Sequence, residues 1–134
     1  MKHKILVIDD EAEIRKTIAL QLEGTVYEIL QAEDGEKGIE VLNNENILEV
    51  DVIICDVRMP KVNGIEAVAY FRENYASIPI IVLTGYPDVQ LAVDFMKDGV
   101  VDYLVKPVEK DKLVETVGKA ARQRTLFSEA RAKM

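Results

Sequence analysis

The stretch Val52-Ile53-Ile54-Cys55-Asp56 is an uninterrupted apolar run that ends in a carboxylate and continues into Val57-Arg58-Met59-Pro60. A short apolar run rich in β-branched residues, without polar alternation, predicts a strand covered on both faces, as in a parallel sheet. Asp56 then lies where the chain leaves the sheet, at the carboxyl end of the strand. In open parallel sheets, ligands bind along that edge.

Four further runs of this kind alternate with longer amphipathic stretches, which predicts a parallel sheet wrapped by helices. The predicted strands are Lys4–Ile8, Tyr27–Ala32, Ile80–Leu83 and a short run centred on Leu104. A helix is expected after each strand because apolar residues recur at helical spacing. In the fourth helix these residues are Val89, Ala92, Val93 and Met96.

Three of the other strands also end in polar groups. Asp9-Asp10 follows the first strand, Thr84-Gly85 the fourth and Lys106-Pro107 the fifth. Because the carboxyl ends of parallel strands share one edge, three acids, a hydroxyl and an ammonium group are expected to converge there. Clustered carboxylates suit a hard divalent cation such as Mg²⁺, which prefers oxygen ligands.

Each of these groups also has an ordinary structural interpretation. Asp9 and Asp10 fit the acidic first turn of a helix, where the helix dipole favours negative charge. Lys106 fits a surface lysine, and Thr84 fits a strand end or a helix cap. Asp56 alone fits a metal ligand, a nucleophile or a cap, and the joint placement at four strand ends is what favours a site.

A carboxylate beside a cation, a hydroxyl donor and an ammonium group suits phosphoryl transfer through an acyl phosphate. The sequence has no glycine-rich phosphate loop, so a bound nucleotide is not the evident phosphoryl donor. The single histidine, His3, precedes the first strand and is expected to be a surface residue. The phosphoryl group is therefore expected to come from another molecule.

The bulk composition excludes several classes of protein. The 134 residues fit one domain, and the formal net charge of −7 argues against binding of a polyanion such as nucleic acid. Residues 119–133 carry five basic residues against Glu129 alone, which favours a solvated helix face.

Cys55 is the only cysteine, so no disulfide framework or cysteine metal cage is expected. No segment reads as a membrane span or a signal peptide, and we expect a cytoplasmic protein.

The chain resembles the receiver domains of two-component response regulators over roughly Lys2 to Arg122. The matching segments are Ile8-Asp9-Asp10-Glu11, Ala32-Glu33-Asp34-Gly35, Cys55-Asp56-Val57-Arg58-Met59-Pro60 with Gly64, Leu83-Thr84-Gly85 and Asp102-Tyr103-Leu104-Val105-Lys106-Pro107. The resemblance implies a receiver domain over residues 2–122. Residues 123–134 are then expected to be a helical C-terminal extension or the start of a linker to an output domain outside this chain.

The implied fold is α/β, a doubly wound (βα)₅ parallel sheet of the flavodoxin-like receiver type. Its strand order is 2-1-3-4-5, and the site lies at the switch point between the first and third strands. The resemblance also implies a cis peptide bond between Lys106 and Pro107.

The resemblance assigns a role to each site residue. Asp56 is the phosphoacceptor, and Lys106 holds the phosphoryl group. Asp10, Asp56 and the backbone carbonyl of Arg58 bind Mg²⁺ (or Mn²⁺), while Asp9 acts through water. Thr84 and Tyr103 form the switch, in which Thr84 bonds the phosphoryl group and Tyr103 swings inward. Arg58 and Tyr86 tune dephosphorylation, and their bulk predicts a long-lived phosphorylated state. For Tyr103 an ordinary structural interpretation also stays open, that of a half-buried aromatic residue on a strand.

The implied function is a phosphorylation-dependent signalling switch. A sensor histidine kinase or a phosphotransfer protein would supply the phosphoryl group, and the surface of the fourth helix, fifth strand and fifth helix would then control a partner, a homodimer or an output domain. The chain is not expected to be a conventional turnover enzyme. Two alternatives stay open: a Mg²⁺-dependent phosphatase using Asp56, which would normally want an acid where Arg58 stands, and an interaction module that is never phosphorylated.

Overall fold

The computed structural model describes residues 3–57 and 64–132, with side chains as far as residue 125. One sheet of five parallel strands has the order β2-β1-β3-β4-β5, which confirms the predicted topology. The strands are β1 (His3–Ile8), β2 (Tyr27–Ala32), β3 (Val50–Asp56), β4 (Ile80–Thr84) and β5 (Asp102–Val105). The helices are α1 (Ala12–Gln21), α2 (Gly35–Asn43), α3 (Gly64–Asn74), α4 (Val89–Lys97) and α5 (Lys110–Ala132), and a 3₁₀ turn covers Ile47–Glu49.

The sheet separates two apolar cores because successive side chains of a strand point to opposite faces. On one face, Ile5 and Val7 of β1 and Ile54 of β3 pack with Ile18 of α1 and Leu113 of α5. On the other face, the alternate strand residues are Leu6, Ile8, Ile53 and Cys55, which pack with Leu42 of α2, Phe71 of α3 and Phe95 of α4. Burial on both faces explains why these strands read as continuous apolar runs.

Helix α4 carries apolar residues on two sides rather than in one stripe. Phe95 is buried and Leu91 packs against the core, whereas the predicted stripe residues Val89 and Met96 are 83% and 48% exposed. Asp88 caps this helix by accepting a hydrogen bond from the backbone N–H of Leu91 at 3.0 Å. Helix α4 therefore has one apolar side toward the core and a second toward solvent.

The basic C-terminal segment is not simply a solvated face, because Arg124 is buried. Its guanidinium donates to the carbonyl oxygens of Ser77 (3.2 Å) and Ile47 (2.9 Å) and to the Ser77 hydroxyl (2.6 Å). Helix α5 runs unbroken through this contact. In the described part of the chain, neither α5 nor any shorter helix is long and apolar enough to cross a membrane.

Candidate functional site

The polar residues predicted at the strand ends meet at the carboxyl edge of the sheet. Asp9 follows β1, Asp56 ends β3, Thr84 ends β4 and Lys106 follows β5. Asp9 and Thr84 are fully buried, and Asp56 is 3% exposed. The order β1-β3-β4-β5 places these four ends side by side, because β1 and β3 are neighbours although β2 separates them in sequence. The site therefore lies at the predicted switch point of the sheet.

Lys106 connects the acids of two strands. Its ammonium group donates a hydrogen bond to Oδ2 of Asp56 at 3.0 Å and lies 2.8 Å from Oδ2 of Asp9. The more exposed Glu11 carboxylate is 3.7 Å away. Lys106 is held in place by its backbone N–H, which donates to the carbonyl of Thr84 at 2.8 Å. The peptide bond between Lys106 and Pro107 is cis.

Asp9, Asp10 and Asp56 form a cluster with the chemistry of a divalent-cation site. One carboxylate oxygen from each lies within 4.8 Å of the others. Oδ2 of Asp9 is buried and, within the described residues, accepts no well-aligned hydrogen bond despite its ionic contact with Lys106. Three acidic oxygens, one with unused hydrogen-bonding capacity, fit the ligand preference of Mg²⁺ or Mn²⁺.

The electrostatics of the cluster follow from burial and mutual charge. Burial raises the pKa of Asp9 from its ordinary 3.8 to about 6, while Lys106 and the backbone N–H of Glu11 act in the opposite direction. Burial alone would lower the pKa of Lys106, but its contacts with Asp9 and Asp56 outweigh this effect and raise it. Lys106 therefore stays charged while it compensates the two buried acids.

Cys55 takes no part in this chemistry. Its side chain is fully buried in the core, and burial raises the pKa of the thiol well above its ordinary value. A thiol that stays protonated is a poor nucleophile and a poor metal ligand. Cys55 is therefore a core residue, as its position within the apolar run predicts.

A small cavity of about 250 Å³ opens above Asp56. It is lined by Glu11, Asp56, Gly85, Tyr86 and Lys106. Tyr86 is 68% exposed, so its ring stands at the mouth of the cavity. Asp56 thus belongs to the acidic cluster and also lines a cavity with room for a small anionic group.

Thr84 and Tyr103 contact the loop between β4 and α4. The Thr84 hydroxyl oxygen accepts a hydrogen bond from the backbone N–H of Tyr86 at 3.0 Å. The Tyr103 hydroxyl oxygen accepts one from the backbone N–H of Asp88, the N-cap of α4, at 3.2 Å. Both side chains are thus linked to the segment that leads from the site into α4.

Gly64 explains how the chain after Asp56 is packed. A side chain at position 64 would overlap the Cα atom of Val57 and the carbonyl oxygen of Asp56. Only glycine permits this close approach at the beginning of α3. Arg58, which was predicted to supply a carbonyl ligand and to tune dephosphorylation, lies outside the described residues.

Two contacts at the site were not predicted from the sequence. Glu11 reaches toward Lys106, and Arg15 of α1 donates from Nη1 to the Asp9 carbonyl at 2.6 Å. A signal for Arg15 exists in the sequence, since it lies about one and a half helical turns beyond Asp9-Asp10, close enough to fold back on that segment. Nothing in the residue spacing alone distinguishes this orientation from a solvated one.

Comparison with known proteins identifies the family. The family model described as the response regulator receiver domain matches residues 5–118. Transcriptional regulatory protein GlrR of Escherichia coli is 34% identical over 126 residues, which cover 92% of this chain and 28% of GlrR. Transcriptional regulatory protein FixJ of Bradyrhizobium diazoefficiens is 35% identical over 122 residues, covering 91% of this chain and 58% of FixJ. The chain thus spans less than two thirds of the length of either curated relative.

The structural comparison agrees. A response regulator receiver domain protein from Clostridium thermocellum has a crystal structure that matches this one with a TM-score of 0.85 at 34% identity. The match covers 93% of this chain and 98% of that chain. Receiver domains are signalling modules of two-component systems rather than conventional enzymes. On the family match, the sequence relatives and the shared fold, this chain belongs to the response regulator receiver domains.

Proposed function

We propose that the chain is a phosphorylation-operated switch in which Asp56 accepts a phosphoryl group from a phosphohistidine of a sensor kinase or phosphotransfer protein. The observation that carries the proposal is the position of Lys106, whose ammonium group contacts both Asp56 and Asp9 at the edge of a three-carboxylate cluster. Asp56, the proposed nucleophile, and Lys106, the proposed phosphoryl-binding group, both line the cavity at this edge of the sheet, which supports the proposal.

The reaction is a substitution at phosphorus. A carboxylate oxygen of Asp56 forms the new P–O bond while the P–N bond to the donor imidazole breaks, and the imidazole retains the bonding electron pair and takes up a proton. Lys106 binds an equatorial phosphoryl oxygen and compensates the charge that replaces the Asp56 carboxylate. Bound Mg²⁺ or Mn²⁺ would neutralise the developing negative charge. Asp10, Asp56 and the carbonyl of Arg58 would hold the ion directly, with Asp9 acting through water.

The stored signal is removed by water. Attack of water on phosphorus breaks the P–O bond, releases inorganic phosphate and restores the Asp56 carboxylate. Tyr86 stands at the mouth of the cavity, and its ring would limit the approach of water. The chain thus catalyses one phosphorylation and a slow dephosphorylation of itself, and the balance of the two rates sets how long the signal lasts.

Thr84 and Tyr103 would transmit the phosphorylation of Asp56 to the α4-β5-α5 surface. To donate to a phosphoryl oxygen on Asp56, the Thr84 hydroxyl would turn and give up its contact with the N–H of Tyr86. Space vacated by Thr84 would admit the ring of Tyr103, breaking the bond between its hydroxyl and the N–H of Asp88 at the start of α4. Phosphorylation would thereby favour one of two pre-existing arrangements of the α4-β5-α5 surface.

That surface is suited to bind a partner. Pro87, Val89, Val93, Met96 and Tyr103 line an apolar groove of about 540 Å³ between α4 and β5. Exposed apolar grooves of this kind mark interaction sites. We propose that the groove contacts a second copy of the chain, a separate partner or an output domain, in a cytoplasmic protein. The acidic net charge argues against direct nucleic-acid binding by this chain.

Intact mass spectrometry with acetyl phosphate and Mg²⁺ tests the proposal against its alternatives. A stable gain of one phosphoryl group that is lost in Asp56→Asn supports the switch. Release of inorganic phosphate without an adduct would favour the phosphatase. No reaction with acetyl phosphate or with a phosphorylated kinase would favour the interaction module.

A further inference from the structure

Arg15 makes two directed contacts beside the acidic cluster. On α1, its Nη1 donates to the Asp9 carbonyl oxygen at 2.6 Å, and its Nε donates to Oε1 of Gln31, on β2, at 3.2 Å. The guanidinium therefore spans the space between the end of β1 and the neighbouring edge strand. Both acceptors are neutral oxygens, and no ion pair within the described residues joins Arg15 to a carboxylate.

The carbonyl oxygen of Asp9 lies just beyond the regular hydrogen-bonding ladder between β1 and β2. Pairing between β1 and β2 ends at Ile8 and Ala32. Just beyond it, the Asp9 N–H still donates to the carbonyl of Ala32 at 3.1 Å, while the carbonyl of Asp9 receives the side-chain donor of Arg15. Arg15 thus supplies a donor at the position where the ladder stops.

The remaining polar group of Asp9 is also fixed. Its Oδ1 accepts from the backbone N–H of Glu11 at 2.9 Å. The N–H, the carbonyl and the carboxylate of Asp9 are therefore each held by a different partner. The carbonyl belongs to the peptide plane between Asp9 and Asp10, so holding it also holds the N–H and the Cα atom of Asp10, from which the exposed side chain extends.

We infer that Arg15 is a positioning residue for the cation site, because it holds the Asp9–Asp10 peptide so that Asp10 joins Asp9 and Asp56. The inference rests on the proposed function, since it concerns the affinity of the same site for Mg²⁺. Groups that orient metal ligands without touching the metal commonly change affinity by roughly 10- to 100-fold.

A role of Arg15 through its charge and a role through its hydrogen bond predict opposite effects of its removal on Mg²⁺ affinity. A cation near the cluster repels Mg²⁺, so if only its charge mattered, removing Arg15 would strengthen Mg²⁺ binding. If its directed hydrogen bond matters, removal frees the Asp9–Asp10 peptide and weakens binding. Arg15→Lys keeps the charge but loses the planar fork that reaches both acceptors, and is expected to weaken binding by an intermediate amount.

The experiment measures Mg²⁺ binding to the 134-residue chain by isothermal titration calorimetry, without a phosphodonor and at fixed ionic strength. The variants are Arg15→Ala, Arg15→Lys and Gln31→Ala, and the control is Lys16→Ala, which removes an equal charge from the adjacent exposed position. Circular dichroism and thermal unfolding establish that each variant is folded. We expect Arg15→Ala to raise the Mg²⁺ dissociation constant about 10-fold, Arg15→Lys and Gln31→Ala to raise it less, and Lys16→Ala to leave it nearly unchanged.

An unchanged or lower dissociation constant in Arg15→Ala would overturn the inference, even if the melting temperature fell, because a purely structural residue changes stability without changing Mg²⁺ affinity. Equal weakening in Lys16→Ala would also overturn it, since the effect would then not depend on the hydrogen bonds that Arg15 makes with Asp9 and Gln31. These results leave the proposed function intact if the wild-type chain binds Mg²⁺. Failure of the wild-type chain to bind Mg²⁺ would contradict the proposed function itself.

Discussion

The ammonium nitrogen of Lys106 lies 2.8 Å from Oδ2 of Asp9 and 3.0 Å from Oδ2 of Asp56, so a single cation bridges the acids that follow β1 and end β3. Both acids are buried, and the Lys106 side chain is only 13% exposed. Removing one member of a buried ionic group leaves the others uncompensated. Lys106 therefore compensates both buried acids at this edge of the sheet.

The first prediction concerns Lys106→Met. Loss of the ammonium group leaves Asp9 and Asp56 without their shared counter-charge, and we expect the metal-free protein to lose about 3 kcal/mol of unfolding free energy at neutral pH. Mg²⁺ is expected to restore part of this loss because it binds the folded state. Urea denaturation with and without Mg²⁺ measures both effects.

A matched control is Lys37→Met, which removes a lysine from an exposed pair with Glu40 on α2. Exposed pairs of this kind contribute about 0.5 kcal/mol or less. Equal losses in the two variants would contradict the role of Lys106 in compensating buried acids.

The second prediction concerns pH. Because burial raises the pKa of Asp9 to about 6, the folded metal-free protein binds a proton there more readily than the unfolded chain, whose pKa is near 3.8. The contribution of Asp9 to stability therefore decreases as pH rises from about 4 to about 6, and stays low above that. Protonation of Asp9 also removes a negative charge from the proposed cation site, so Mg²⁺ affinity should decrease as pH falls through 6.

Denaturation curves at several pH values, compared between wild type and Asp9→Asn, isolate this contribution. The difference in unfolding free energy between the two proteins should vary with pH between 4 and 6 when Mg²⁺ is absent. A difference that does not change over this range would show that Asp9 titrates at its ordinary pKa.

The third prediction concerns the lifetime of the phosphorylated state. Tyr86 is exposed at the mouth of the cavity above Asp56, where its ring would obstruct water. We expect Tyr86→Ala to accelerate loss of the phosphoryl group several-fold, and Arg58→Ala to act in the same direction. Decay of the phosphorylated mass after removal of the donor gives the rate. Tyr70→Ala on α3, whose ring packs against Phe71 and Tyr75, is the control; rates unchanged in both site variants would contradict the proposed tuning.

The fourth prediction concerns the end of α4. Gly99 has φ of +95°, and a Cβ atom there would lie 2.6 Å from Nη2 of Arg72. Arg72 also donates to the carbonyl of Asp98 at 3.1 Å, so it joins α3 to the last turn of α4. Gly99→Ala is expected to lower the unfolding free energy by the backbone cost of about 1–2 kcal/mol and by the displacement of Arg72.

Gly24→Ala provides the matched comparison, because Gly24 has φ of +85° and a Cβ atom there meets no atom within 4 Å. The loss of unfolding free energy in Gly24→Ala should therefore reflect the backbone cost alone. The extra loss in Gly99→Ala should disappear in an Arg72→Ala background. Equal losses at the two glycines would show that Arg72 simply moves aside.

The fold was predictable because its central strands are covered on both faces and read as unbroken apolar runs, as Val52–Cys55 does. Asp9, Asp56, Thr84 and Lys106 could be placed at one edge for the same reason, since parallel strands share their carboxyl ends. The resemblance to receiver domains then supplied the strand order and the individual roles. Among the residues to which the resemblance assigns a role, Arg58 lies outside the part of the chain that the structure describes.

Contacts between side chains that are remote in sequence were not predictable. Burial of Arg124 depends on carbonyl groups 77 and 47 residues away in the chain, and the contact of Arg15 with Asp9 depends on a rotamer. The two apolar sides of α4 also could not be separated, because residue spacing alone does not say which side faces the sheet. In each case the deciding contact is tertiary.

The central claim is that Asp56 itself becomes an acyl phosphate, and chemical trapping tests it most directly. After incubation with acetyl phosphate and Mg²⁺, borohydride reduces an aspartyl phosphate to the corresponding alcohol, and peptide mass spectrometry locates the reduced residue. We predict reduction at position 56 alone, dependent on Mg²⁺ and absent from Asp56→Asn. Reduction at another carboxylate in the wild-type chain, or none at position 56 in chains that have gained a phosphoryl group, would contradict the account.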